Sequence, residues 1–190
     1  MSRAHKRKKQ PDVVRYQLLD VAARLCIARG LRALTLDAVA KEAGVSKGGL
    51  LHHFPSKQTL LEALSSACLD DFGRRLAEHM EKDEGPEKGR FSRAYLMVTA
   101  NKRADPETEQ WDNLGVMLMA DANMRAAWNK WLTQRLAEHE KTDGTLSSLI
   151  VRLAGDGLWL SDFAGSPGVS QAKRKRMIRR LLEMSLEADK

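Results

Sequence analysis

The stretch Thr35–Phe54, TLDAVAKEAGVSKGGLLHHF, constrains this chain more than any other. Thr35 presents a side-chain oxygen to the backbone N–H groups two and three residues on, the arrangement of a helix start. Leu36, Val39 and Ala40 then share one face at spacings of three and four, with Lys41 and Glu42 on the wet side. Gly44 can end that helix with positive φ at little cost, and Val45 can pack back under the turn. Ser46 is a second cap, and Leu50 begins the next apolar face. Neither cap has Glu or Gln three residues later, so no capping box supports it. Helices this short do not stand alone in water, so other helices must hold them. The pattern predicts a helix-turn-helix, the element that places its second helix in the DNA major groove.

Small residues and a cation at the start of the second helix suit an approach to base edges. Gly48 and Gly49 let the backbone come close, and Lys47 reaches a phosphate or a guanine edge. The candidate DNA contacts are Thr35, Leu36, Ser46, Lys47, Gly48, Gly49, Leu50, His52, His53 and, just downstream, Lys57. The competing reading is an ordinary pair of surface helices joined by a glycine turn. The flanks argue against it. Upstream, Val14, Leu18, Val21, Ala22 and Leu25 form one apolar stripe that Gly30 closes. Downstream, Phe54-Pro55-Ser56-Lys57 is a break and a fresh cap, followed by a long helix from about Ser56.

This layout resembles the amino-terminal domain of the tetracycline-repressor (TetR) family of bacterial regulators. The matching residues are Ala22-Ala23, Gly30, Leu36, Val39, Ala40, Ala43-Gly44-Val45-Ser46, Gly48, Leu50, His53-Phe54, and Ser56-Lys57 with Leu60. Two positions depart from the commonest family pattern. Gly49 stands where a small hydroxyl residue is frequent, and Leu51 where tyrosine is frequent, leaving His52 to supply a substitute contact. The Gly-Gly-Leu-Leu form looks like a variant within the family. Farther on, Leu153–Phe163 with its Asp-Gly-Leu-Trp segment, and Lys173–Leu186, resemble the family's last two helices. The resemblance implies a homodimer in which these helices pack against their symmetry mates. Two recognition helices on a two-fold axis then read a palindrome.

Charge follows the same division. The first 60 residues hold twelve Lys/Arg against four Asp/Glu, while the whole chain is only +7. The surplus thus lies in the part expected to meet DNA. Arg3, Lys6, Arg7, Lys8 and Lys9 form a basic arm over 1–10, read either as a tracker of the DNA backbone or as a solvated tail. A second basic run, Lys173-Arg174-Lys175-Arg176 with Arg179 and Arg180, is read as the wet face of an amphipathic helix. Its other face carries Met177, Ile178, Leu181, Leu182 and Leu186.

The fold class expected is all-α: a three-helix helix-turn-helix domain plus a larger helical domain, about nine helices in total. Residues 11–58 form the first domain, reaching into a connecting helix to about 72, and 59–190 the second. Helical periodicity recurs through Leu60–Met80, Phe91–Ala100, Trp111–Met119, Met124–Ala137, Leu146–Ala164 and Met177–Leu186. Breaks are expected at Gly85-Pro86, Asp105-Pro106, Asp143-Gly144 and Gly165–Gly168, and the loop Lys82–Gly89 is a candidate for disorder.

All four tryptophans, Trp111, Trp128, Trp131 and Trp159, lie in the second domain, with Met117, Met119 and Met124 among them. Large rings and pliable thioethers suit a cavity for apolar ligands; the alternative for each residue alone is core packing. Trp111, Leu114 and Leu118 share a helical face, as do Trp128, Trp131 and Arg135. The candidate effector pocket is Trp111, Leu114, Met117, Leu118, Trp128, Trp131, Asp156 and Trp159. Asp156 is read on a face with Leu149, Leu153 and Leu160, where an ionised carboxylate costs several kcal/mol unless paired. Structural pairing, contact with a cationic ligand and a wet edge all remain open for it. The flanking Gly155 and Gly157 allow close helix approach, as at a subunit interface.

No CxxC, HExxH, phosphate loop or GxSxG occurs, and adjacent His52 and His53 do not face one site, so no catalytic residue, metal or cofactor is expected. No run of eighteen apolar residues exists, so no membrane span is expected. The start carries charge without an apolar core, so no signal peptide is expected. Cys26 and Cys68 are distant from each other on apolar stretches and read as buried free thiols, consistent with a cytoplasmic protein. The expected function is a ligand-responsive regulator: a dimeric repressor on a palindromic operator of double-stranded DNA, released by a small lipophilic effector. The alternative is a DNA-binding regulator or architectural protein without a small-molecule ligand.

Overall fold

The computed structural model describes residues 11–100, 106–166 and 169–187. The basic arm and part of the break at Gly165–Gly168 lie outside these. The described residues form ten α-helices and one short 3-10 turn, with no strand. The chain divides into two compact units, 1–66 and 67–190.

The first unit begins with α1 (Pro11–Arg29), whose proline occupies the first helical position, where a missing N–H costs nothing. Its stripe Leu18, Val21, Ala22, Leu25 and Cys26 is buried, and Gly30 ends it at φ 79°. A 3-10 turn (Leu31–Ala33) leads to Leu34, which is fully buried. Then come α2 (Leu36–Glu42) and α3 (Lys47–His53), each of seven residues. Val39 and Ala40 of α2 and Leu50 of α3 pack inward, as does Phe54, whose ring lies 4.8 Å beneath the Arg15 guanidinium. α4 (Lys57–Glu81) starts in this unit with Leu60, Leu61 and Leu64 buried. A reciprocal cap secures its first turn. Ser56 Oγ accepts the Thr59 N–H at 3.1 Å, and Thr59 Oγ1 accepts the Ser56 N–H at 3.0 Å.

The second unit is arranged around α5 (Arg90–Ala100), in which every residue from Phe91 to Ala100 except Met97 is buried. A helix buried all round must be surrounded by others. Around it lie the later turns of α4, α7 (Ala122–Glu138), the single turn α8 (Glu140–Asp143), α9 (Leu146–Phe163) and α10 (Gln171–Met184), while α6 (Pro106–Leu118) packs on α9 and is joined to α4 by the Arg75–Asp112 pair. The count exceeds the expected nine because α8 is a separate turn closed by Gly144. α9 approaches α5 closely at Gly155, where a β-carbon would collide with Thr99 Oγ1. Leu96, Ala100, Val151, Leu158 and Leu181 fill the core shared by α5, α9 and α10.

The loop 82–89 is ordered, against the expectation of disorder. Arg93 binds it from α5: its Nε donates to Asp83 at 2.7 Å, and its terminal nitrogens donate to the Pro86 and Lys88 carbonyls at 2.6 and 2.7 Å. Gly89 N–H donates to the Thr142 carbonyl at 3.0 Å. Burial pushes the Asp83 carboxyl up, but hydrogen bonds from Arg93 and the Gly85 N–H, with the charges of Arg93 and Arg90, outweigh it and hold it below the usual value. Both cysteines are free thiols, Cys26 buried and Cys68 half-buried. Burial drives the Cys26 thiol up to about 11. No helix of the described residues is long and apolar enough to cross a membrane.

Candidate functional site

The turn between α2 and α3 is built from local bonds. Thr35 Oγ1 accepts the Ala38 N–H at 3.1 Å and Ser46 Oγ accepts the Gly49 N–H at 3.1 Å, so both hydroxyls cap their helices. At the end of α2, Val45 N–H donates to the Ala40 carbonyl and Gly44 N–H to the Lys41 carbonyl, with Gly44 at φ 66°. These paired bonds define a Schellman motif, which turns the chain sharply into α3.

What α3 presents outward follows from what it buries. Leu50 is fully buried, so it supports the helix from behind and cannot contact a partner; its place among the expected contacts is corrected. Lys47, Gly48 and His52 are exposed; Gly49, Leu51 and His53 are half-buried, as is Leu36 on α2. Gly49 sits tight against its cap, since a β-carbon there would lie 3.2 Å from Ser46 Oγ. His52 and His53 meet edge to face at 5.4 Å. Lys47 is paired with Asp37 at 2.9 Å, with both side chains largely exposed. Such surface pairs are worth at most about 1 kcal/mol, so an anion competes for Lys47 readily. Lys57, the first residue of α4, donates to the Leu31 carbonyl at 3.2 Å from an exposed position.

In the second unit, four of the aromatic side chains meet. Phe72 packs edge to face against Tyr95, Trp128 and Trp131 at centroid distances of 5.4, 5.3 and 5.6 Å, and the two tryptophans stack on each other. The Arg135 guanidinium covers Trp131 at 5.7 Å. Asp156 Oδ1 accepts the Tyr95 hydroxyl at 2.7 Å, which ties the carboxylate to this cluster. Burial raises the Asp156 carboxyl above its usual value, although the Tyr95 bond and the Arg152 charge act to lower it. Burial likewise raises the Tyr95 hydroxyl, with the neighbouring Asp156 charge adding to the effect. Arg152 donates to Ser92 Oγ at 2.8 Å and to the Asp143 carbonyl at 3.1 Å, and burial lowers its guanidinium.

The other expected pocket residues lie on α6 and α9. Leu114 and Leu118 are buried, Trp111 and Met117 are half-buried, and the Trp159 ring lies against α6, where a β-carbon on Gly115 would be 3.3 Å from it. Asp156 shares a face with Leu149, Leu153 and Leu160, but those three are exposed while Asp156, at the margin of that face, is half-buried. At about 100° per residue Asp156 falls about 20° from Leu149, about 40° from Leu160 and about 60° from Leu153, on the side of the stripe nearest buried Arg152. Gly155 serves the contact with Thr99 within the chain, whereas a β-carbon at Gly157 would meet open space. Sequence reasoning missed Phe72 and Tyr95. The spacing of Phe72 with Leu76 and Met80 offered a helical signal for the first. Tyr95 lies 61 residues from Asp156, and no local pattern connects them.

Residues 18–64 match the family described as bacterial regulatory proteins, tetR family. Residues 89–186, more than half of the chain, match the tetracyclin repressor-like C-terminal domain. The chain belongs to the TetR family. Among curated relatives, the HTH-type transcriptional repressor KstR2 of Rhodococcus jostii is 46% identical over 61 residues, covering 32% of this chain and 30% of that protein. The matched part of this TetR-family chain thus spans about a third of the length of the KstR2 proteins it resembles. Among solved structures, the multidrug binding protein EbrR complexed with malachite green is 21% identical, with TM-score 0.67, covering 88% of this chain and 96% of that one. A transcriptional regulator from Rhodococcus sp. Rha1 gives TM-score 0.69 at 21% identity, covering 90% and 95%. These likenesses establish the shared fold.

Proposed function

We propose that this TetR-family chain is a ligand-responsive DNA-binding repressor acting as a homodimer. The observation that carries the reading is the outward face of α3. Lys47, Gly48 and His52 stand exposed on a short helix whose Leu50 is anchored in the core. In this reading residues 11–58 contact DNA, with Lys47 on a base edge or phosphate and Lys57 on phosphate. His52 takes the contact that tyrosine one position earlier makes in the commoner family pattern.

Residues 59–190 sense the effector and dimerise. Support for dimerisation comes from α9, where Leu146, Leu149, Ile150, Leu153, Leu160 and Phe163 are large apolar side chains left exposed. Such a stripe calls for a partner surface, and a second copy of the last two helices provides it. The Phe72, Tyr95, Trp128 and Trp131 cluster with Asp156 suits a lipophilic effector, and an acidic group at its edge favours one with positive charge. EbrR, the relative bound to malachite green, makes cationic dyes the first probes. An effector that prefers one arrangement of the second unit alters the separation of the two recognition helices. A tenfold loss of operator affinity requires only about 1.4 kcal/mol of such coupling.

The test is binding to the chain's own promoter region across a salt series. Lys57→Ala should weaken binding on all sequences and flatten the salt dependence by about one phosphate contact. Leu153→Glu with Leu160→Glu should give monomers that bind at least tenfold more weakly. A chain that stays monomeric at every concentration and prefers no promoter fragment over bulk competitor refutes the proposal. Operator binding unaffected by any dye or lipophilic ligand favours the regulator without an effector.

A further inference from the structure

A groove of about 480 Å³ lies between the end of α4, the loop after it, α5 and α10, and includes none of the aromatic residues discussed above. Its floor is apolar. Ala94 and Met97 contribute from α5, and Leu182 and Leu186 from α10 and the residues after it. Leu186 is 47% exposed, so part of this floor faces the opening.

The charges at the rim are not balanced. Lys82, Arg93 and Arg179 face only Asp83 and Glu183 in the lining; Asp83 is consumed by Arg93, whose guanidinium is in turn held by the loop carbonyls, and Glu183 makes an exposed pair with Arg180 at 3.4 Å. Two cations on the rim, Lys82 and Arg179, have exposed side chains with no hydrogen bond or ion pair among the described residues. Apolar floor and surplus positive charge at the mouth select one kind of molecule, with a hydrocarbon body and an anionic head. A neutral hydrocarbon leaves the cations unused, and a cation is repelled by them. Of these two, the Arg179 guanidinium offers the planar fork that matches a carboxylate, which accepts two parallel N–H bonds, and Lys82 adds a second positive charge to the same groove.

We infer that this groove binds amphipathic carboxylates of medium chain length, at a site separate from the tryptophan cluster. Braced by Arg93, the wall of the groove is built before any ligand arrives, which lowers the ordering cost of binding. The site requires no DNA, so its existence is independent of operator binding.

The test is calorimetric titration of the full chain, without DNA, with decanoate, decanol and decyltrimethylammonium, all as monomers in solution. Decanoate should bind with one site per chain, and at least tenfold more tightly than the other two. Lys82→Gln with Arg179→Gln should weaken decanoate at least tenfold and leave decanol unchanged. Both side chains are exposed and unbonded, so thermal unfolding should not move. Leu186→Glu, which places an anion at the floor, should abolish decanoate binding independently. The inference is overturned if decanol or the ammonium binds as tightly as decanoate, or if the double substitution leaves decanoate affinity intact. It is also overturned if affinity falls as protein concentration rises, because a second copy then covers the groove.

Discussion

Replacing Gly155 by alanine tests how α9 is seated on α5. In an exposed helix this change stabilises by about 1 kcal/mol, because alanine has less backbone entropy to lose. At Gly155 the added methyl would overlap Thr99 Oγ1. Thr99 cannot swing aside cheaply: it is 6% exposed, and its hydroxyl donates to the Tyr95 carbonyl at 2.9 Å and contacts that of Leu96 at 3.3 Å. Overpacking of this kind costs about 1–3 kcal/mol. The propensity gain offsets only part of that, so Gly155→Ala should destabilise by about 1–2 kcal/mol. Gly157 lies two residues along the same helix, and a methyl there meets nothing within 4 Å. Gly157→Ala should therefore gain about 0.5–1 kcal/mol. Urea unfolding at matched protein concentration reads the difference. Thr99→Ala removes the obstructing oxygen, so the double variant Gly155→Ala/Thr99→Ala should recover about 1 kcal/mol relative to the sum of the single changes. If Gly155→Ala is as stable as Gly157→Ala, the close approach of α9 to α5 is not what the geometry indicates.

Three further outcomes follow from individual side chains. Ser46→Ala removes the acceptor for the Gly49 N–H and should cost about 1 kcal/mol, with faster amide exchange at the start of α3; unchanged exchange would mean the cap contributes nothing. With its thiol raised to about 11, Cys26 should resist alkylation at pH 8 in the native protein and react only on unfolding, while half-buried Cys68 reacts first; two fast equivalents would contradict this. Asp83→Asn should cost about 3 kcal/mol at neutral pH by leaving buried Arg93 without its carboxylate. Because the folded-state pKa of Asp83 lies below the ordinary 3.8, its stabilisation is complete above that value and lost as pH falls through the lower one, so the gap between wild type and variant should close in acid. A gap that persists at the lowest pH would separate the effect from that charge.

The parts legible in the sequence are those whose partners are close in the chain. Thr35 and Ser46 cap residues three positions on, and Gly30 and Gly44 adopt positive φ where each helix ends. The apolar stripe of α1 buries as its spacing implied, apart from Val14, which is half-buried. Periodicity was less informative where a helix has more than one covered face. α5 is buried almost all round, so its lack of a wet side concealed its central position. Asp156 lies at the margin of the exposed leucine face of α9, and periodicity alone does not say that its carboxylate meets Tyr95 of α5.

The residues alone thus determined the helical class, the turn between α2 and α3 and the family, because capping, glycine φ and apolar spacing act over three or four residues. Only the tertiary structure decided that Asp156 answers Tyr95, that Arg93 holds the 82–89 loop, and that Lys82 and Arg179 stand unbalanced over an apolar groove. Those outcomes depend on which helices come together. Burial then fixes which charges must be satisfied and which can remain in water.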